Sequence, residues 1–154
     1  MWAVLRLGGR ALLYFGGNAE DVAGNRGVAV QLAAARLVER LVLVTAYDSL
    51  LNVARQYFWW LPVGLRLRDR YESARRAPEA SALVLVVIAA KDEIIPRARS
   101  DALAAAFAPR QAGVVVVPGV GHNTLDLSPR YLRSIAAFLA GPRAAPGVLE
   151  AGTG

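Results

Sequence analysis

The sequence predicts an α/β fold, doubly wound around a mostly parallel sheet of four to five strands, and three observations carry that expectation. Short β-branched runs bounded by turn formers recur at residues 40–45 (RLVLVT), 83–89 (LVLVVIA) and 113–118 (GVVVVP). None of them alternates apolar with polar residues, which is the pattern of strands covered on both faces. Segments with helical spacing separate or follow them, at residues 49–60, 98–107 and 129–139. Strand and helix therefore alternate, as they do where helical crossovers of right-handed sense bring strands together in parallel.

The remaining elements follow in order. Residues 10–15 (RALLYF) form a fourth strand that ends in Gly16, Gly17 and Asn18, and residues 2–7 are an extra edge strand or an extension of it. A helix over residues 28–38 then leads to RLVLVT, near the lower length bound for a crossover. Residues 1–140 make one domain, consistent with a chain of 154 residues that is 55% hydrophobic and 19% charged. That composition excludes a disordered polypeptide. Residues 141–154 (GPRAAPGVLEAGTG) have breakers and no periodicity and are expected to be a flexible tail.

Composition also narrows the chemistry. With no cysteine and one histidine, His122, the sequence excludes disulfides, thiolate zinc, iron–sulfur clusters and multi-histidine metal sites, so neither metal nor cofactor is expected. The longest uncharged apolar stretch, near residues 80–90, falls short of the roughly 18–20 residues of a membrane span. The apolar start is too short for a secretory signal, and cytoplasmic residence is expected. The net charge of +6 comes from 17 arginines and one lysine dispersed along the chain. Their densest group, Arg66, Arg68, Arg70, Arg75 and Arg76, follows the aromatic residues Tyr57, Phe58, Trp59 and Trp60. Alternate spacing on a helix would spread these cations around it, so a solvated face is expected and a nucleic-acid partner is not.

In an open parallel sheet the chemistry sits at the carboxyl edge of the strands. Four turns reach that edge, and two of them, 90–93 (AKDE) and 119–123 (GVGHN), carry an aspartate and the single histidine. A carboxylate after one strand and an imidazole after the next can form an acid–base pair, the carboxylate fixing the tautomer. Each residue also has a structural alternative: Asp92, with Glu93, as a cap for the helix near Pro96, and His122 as a satisfied turn residue. Ser49 reads most simply as an N-cap or first-turn residue, with Asp48 beside it as the better cap. The glycines at 16–17 and 119–121 complete neither a dinucleotide fingerprint nor a phosphate-binding loop.

The ordered segments LLYFGGNAEDV, GVAVQLAA, ERLVLVTAYDSL, LVLVVIAAKDEIIP and VVVVPGVGHNTL resemble the α/β-hydrolase family, particularly its serine-aminopeptidase-like and short acyl-hydrolase members, over residues 10–139. The resemblance implies that Asp92 and His122 are the acid and base of a catalytic triad. It implies an oxyanion hole from the backbone N–H groups of Gly17 and Asn18, and a small-molecule acyl substrate or ligand. The run Tyr57, Phe58, Trp59, Trp60 then suits a substrate pocket, with core packing and association between copies as the alternatives.

One part of the pattern is missing. The six serines are Ser49, Ser73, Ser81, Ser100, Ser128 and Ser134, and none stands in the G-x-S-x-G turn that exposes a nucleophile above the sheet. In the family GVAVQLAA follows that turn, whereas here it follows DVAGNR directly after the glycine loop. Three readings result: a serine-hydrolase relative with impaired turnover, a non-catalytic binding or interaction module on the same scaffold, and an internally deleted gene product.

Overall fold

The computed structural model describes residues 5–7, 11–15, 38–62 and 73–141. Five strands form one sheet in chain order: β1 (Leu5–Leu7), β2 (Ala11–Phe15), β3 (Arg40–Val44), β4 (Leu83–Ala89) and β5 (Ala112–Val117). From β2 to β5 every pairing is parallel, with Arg40 beside Leu83 and Ala89 beside Val117. β1 is an antiparallel edge, Leu5 lying beside Leu13, which decides between the two alternatives for residues 2–7. β2 pairs directly with β3. The predicted crossover over 28–38 and the tail beyond 141 fall largely or wholly outside the described residues.

Alternation along the central strands sorts their side chains onto two apolar layers. Leu41, Leu43, Val84, Val86 and Ile88 face one side with Leu103 and Phe107. Val42, Leu85, Val87, Val115 and Val117 face the other with Tyr131, Ile135 and Phe138. The helices α3 (Arg97–Ala105) and α4 (Pro129–Ala140) cover these opposite faces, so the sheet is doubly wound. β3 and β4 are buried almost without interruption. β5 departs from the expectation of a fully buried strand: it alternates between partial and full burial, and among the described residues it is the sheet edge, paired with β4 alone.

Between β3 and β4 lie α1 (Leu50–Tyr57) and a short α2 (Ser73–Arg76) that runs into the 3₁₀ turn Ala77–Glu79. α1 buries Val53 against Tyr47 and Ile95, a small cluster beneath the loop that follows β4. It ends at Tyr57, sooner than the helical spacing to residue 60 suggests. α4 loses its backbone partners at its last carbonyls, and Arg40 at the start of β3 supplies donors to Phe138 and Gly141. Its guanidinium also lies 5.3 Å from the centroid of the Phe138 ring, which ties the final helix to the centre of the sheet.

Candidate active site

The turns after β4 and β5 are built side by side. The strand ladder continues beyond the strands themselves, with Ala90 N–H donating to the Val117 carbonyl (2.9 Å) and Lys91 N–H to that of Val120 (2.9 Å). Gly119 takes a positive φ of 76°, a conformation open to glycine without strain, and reverses the chain after Pro118. The chain then enters the 3₁₀ turn His122–Leu127. That turn is capped from both sides, because Gly121 N–H donates to Thr124 Oγ1 (3.0 Å) and Thr124 N–H to the Gly121 carbonyl (3.3 Å).

These turns bring Asp92 and His122 together. Nδ1 of His122 lies 3.0 Å from Oδ2 and 3.1 Å from Oδ1 of Asp92, and the two side chains are only 7% and 3% exposed. Asp92 Oδ1 also accepts the N–H groups of Ile94 (2.9 Å) and Ile95 (2.7 Å). The capping alternative and the pairing alternative therefore hold at once, since one carboxylate organises its own turn and faces the imidazole. Burial pushes the Asp92 pKa up, and it is the largest single influence. The hydrogen bonds from His122, Ile95 and Ile94, together with the charge of His122, outweigh it and hold the group below the ordinary aspartate value. An ionised Asp92 can only accept, so in the neutral imidazole Nδ1 carries the proton and Nε2 keeps the lone pair. That is the tautomer a general base requires.

The neighbouring turn after β3 is held by a second polar cluster. Asp48 Oδ2 accepts from Asn52 Nδ2 (2.7 Å) and faces Arg99 Nη1 at 3.3 Å, while Ser100 Oγ donates to the Ala46 carbonyl (2.6 Å). Thr45, where β3 ends, has a positive φ of 46°. Ser49 stands at the N-cap of α1 without a side-chain capping bond and is buried. Sequence reasoning gave Asp48 a capping role and missed its tie to Arg99, a contact across 51 residues with no local signature. It also missed the reach of Glu93 to the backbone of His122 (3.1 Å).

The aromatic run is on the surface. Tyr57 and Phe58 are 49% and 48% exposed and Trp59 and Trp60 are 83% and 65% exposed, so core packing does not account for them. Tyr57 alone of the four has a described bond to the site, its hydroxyl lying 3.1 Å and 2.9 Å from the carbonyls of Glu93 and Ile94. Gly17 and Asn18 lie outside the described residues. Among the described residues no group of three or more histidines, aspartates or glutamates is placed to hold a metal ion. Nor is any helix there long and apolar enough to cross a membrane.

No protein-family model matches the chain. Uncharacterized proteins of Mycobacterium tuberculosis strains CDC 1551 and H37Rv are each 42% identical to it over 100 residues, 65% of this chain and 35% of theirs. The chain thus spans about a third of the curated relatives it matches. Among solved structures, an α/β hydrolase enzyme from a Medee basin deep-sea metagenome library is similar at a TM-score of 0.56 with 12% identity, over 76% of this chain and 62% of that one. The enol-lactonase from Burkholderia xenovorans LB400 is similar at 0.53 with 16% identity, over 75% and 62%. A 2,6-dihydroxy-pseudo-oxynicotine hydrolase is similar at 0.58 with 14% identity, over 80% and 40%. The strand order, the two covered faces and these likenesses together give the chain an α/β-hydrolase-like fold.

Proposed function

We propose that this chain is a serine-hydrolase relative that acts on carboxylic ester, thioester or amide bonds of small acyl molecules through His122 and Asp92, with turnover impaired by the absence of the elbow serine. The observation that carries the proposal is the buried Asp92–His122 pair at 3.0 Å, which leaves Nε2 basic. Without a nucleophilic side chain, the available step is attack by water. Nε2 takes a proton as the water oxygen bonds to the acyl carbon, and returns it to the leaving oxygen, sulfur or nitrogen as that bond breaks. Gly17 and Asn18 are the proposed oxyanion donors. Loss of the nucleophile in a serine hydrolase costs roughly a millionfold in turnover, so the expected rate is low. Cytoplasmic residence belongs to this proposal.

The exposed aromatic run favours a second reading, a binding or interaction module that uses residues 57–60 and associates with ligand or with further copies. Hydrolysis of p-nitrophenyl acetate by the full chain, beside His122→Ala and Ser49→Ala, separates the two. Turnover above a buffer blank that is lost with His122→Ala and kept with Ser49→Ala supports histidine-driven attack. Loss with both points to Ser49 as a replacement nucleophile. No turnover above the blank overturns the catalytic proposal and leaves the binding module.

A further inference from the structure

We propose that Glu93 is a positioning residue for His122: its carboxylate accepts the His122 backbone N–H, fixing the turn that carries the imidazole, and Gly121 is glycine because that carboxylate fills the space of a Cβ. Glu93 Oε2 lies 3.1 Å from His122 N. A Cβ built on Gly121 would stand 2.5 Å from the same oxygen, so the flexible carboxylate would have to move away, and 3.2 Å from the Lys91 carbonyl, a tight contact that a small shift relieves. The φ of Gly121 is −99°, which any residue adopts, so space and not backbone conformation restricts the position.

The bond completes a ladder. Main-chain pairing between the two turns ends with Lys91 N–H on the Val120 carbonyl. Beyond that rung Gly121 N–H turns to Thr124 Oγ1 and a side chain bridges the two turns, Glu93 reaching across to His122 N–H. Its own main chain is steadied from a third direction, since the Tyr57 hydroxyl bonds the carbonyls of Glu93 and Ile94. Asp92 acts on the ring of His122 and Glu93 acts on its backbone. A ring held at Nδ1 alone leaves the peptide free to pivot about that contact, whereas two restraints at different atoms define where Nε2 points. The other ionisable groups on these turns are Lys91 beside Glu93, Asp92, Asp126 and the imidazole itself. The inference rests on the acid–base reading for the purpose of the positioning, and its test does not need turnover.

Amide hydrogen exchange at His122, followed by NMR on the full chain, is that test. Glu93→Ala is expected to raise exchange at His122 about tenfold, the effect of one lost charge-assisted bond at a solvent-facing position, while Ile94 and Ile95, bonded to Asp92, keep their rates. Glu93→Gln retains an acceptor oxygen of the same reach and restores protection to within about threefold. Gly121→Ala displaces the flexible carboxylate and reproduces the Glu93→Ala rate at His122, and it adds nothing further in the Glu93→Ala background. An unchanged His122 rate in Glu93→Ala, a Glu93→Gln rate as fast as that of Glu93→Ala, or wild-type protection in Gly121→Ala overturns the proposal. Glu93 is exposed and its glutamine variant isosteric, so the comparison survives if an alanine variant misfolds. Failure to hydrolyse an ester leaves these rates untouched, so the two proposals fail separately.

Discussion

Substitution of Asp92 separates two tasks performed by one carboxylate. Alanine removes the acceptor of Ile94 N–H and Ile95 N–H and the partner of His122 Nδ1, three hydrogen bonds at a side chain only 3% exposed. At about 1 kcal/mol for each bond, Asp92→Ala is expected to cost about 3 kcal/mol. Asn keeps a carbonyl oxygen for the two backbone donors and loses the charge, so its expected cost is about 1 kcal/mol. Its amide nitrogen then faces Nδ1 as a donor, which moves the imidazole proton to Nε2 and takes the lone pair from it. Urea unfolding at neutral pH, read as a midpoint shift at constant slope, gives the energies, and imidazole ¹⁵N shifts give the tautomer. A loss below about 1 kcal/mol for Asp92→Ala, or equal losses for Ala and Asn, would refute the structural share of the reasoning. Persistent protonation at Nδ1 in Asp92→Asn would refute the electrostatic share.

Other expectations follow from burial and charge. Leu85→Ala, at a fully buried position on central β4, should cost about 3–4 kcal/mol in the same unfolding assay, whereas Val116→Ala on the half-covered edge strand should cost about 1 kcal/mol; equal costs would contradict the layer assignment. Because the folded-state pKa of Asp92 is depressed, its contribution to stability is fully present above the unfolded aspartate value of about 3.9 and is lost as pH falls through the lower folded value. Asp92→Asn should therefore flatten the acid end of the stability profile. Burial, and then the charge of Asp126, push the Tyr131 hydroxyl up to about 12, so absorbance titration should find it un-ionised well above pH 10 while the chain stays folded; its contribution to stability is lost as pH rises through about 12. Replacing Trp59 and Trp60 together by serine should leave the unfolding midpoint within about 0.5 kcal/mol of wild type and reduce any concentration-dependent association in sedimentation velocity, since both rings face solvent.

What the sequence discloses depends on the range of the interaction that decides each feature. RLVLVT and LVLVVIA announce β3 and β4 because a β-branched run buried on both faces has few other ways to satisfy itself, and the observed bounds differ by at most one residue. GVVVVP announces a strand equally well, but its place at the sheet edge is a tertiary fact that the run does not encode. The pair of Asp92 and His122 is legible because topology alone sends both turns to one edge. Glu93 is not, because a glutamate beside a helix start looks like a cap, and its use here depends on the missing side chain of Gly121. The aromatic run at residues 57–60 is ambiguous for the same reason: the identical residues fit a core, a pocket or a surface until their neighbours are known.

The architecture also explains how the Asp92–His122 pair is held in place. Every described contact that orients His122 comes from the turns after β4 and β5, whose strands pair through six residues and whose ladder runs on to Lys91 and Val120. Asp92 is held by Ile94 and Ile95, Gly121 by Thr124, and the loop beneath them by Val53 and Tyr57 of α1. None of these contacts passes through β2. The direct pairing of β2 with β3 therefore leaves the half of the site on β4 and β5 intact. Asp92 and His122 form one local unit of these two turns. The base proposed here is therefore held by its own two turns, and any ester hydrolysis lost with His122→Ala measures what that unit accomplishes alone.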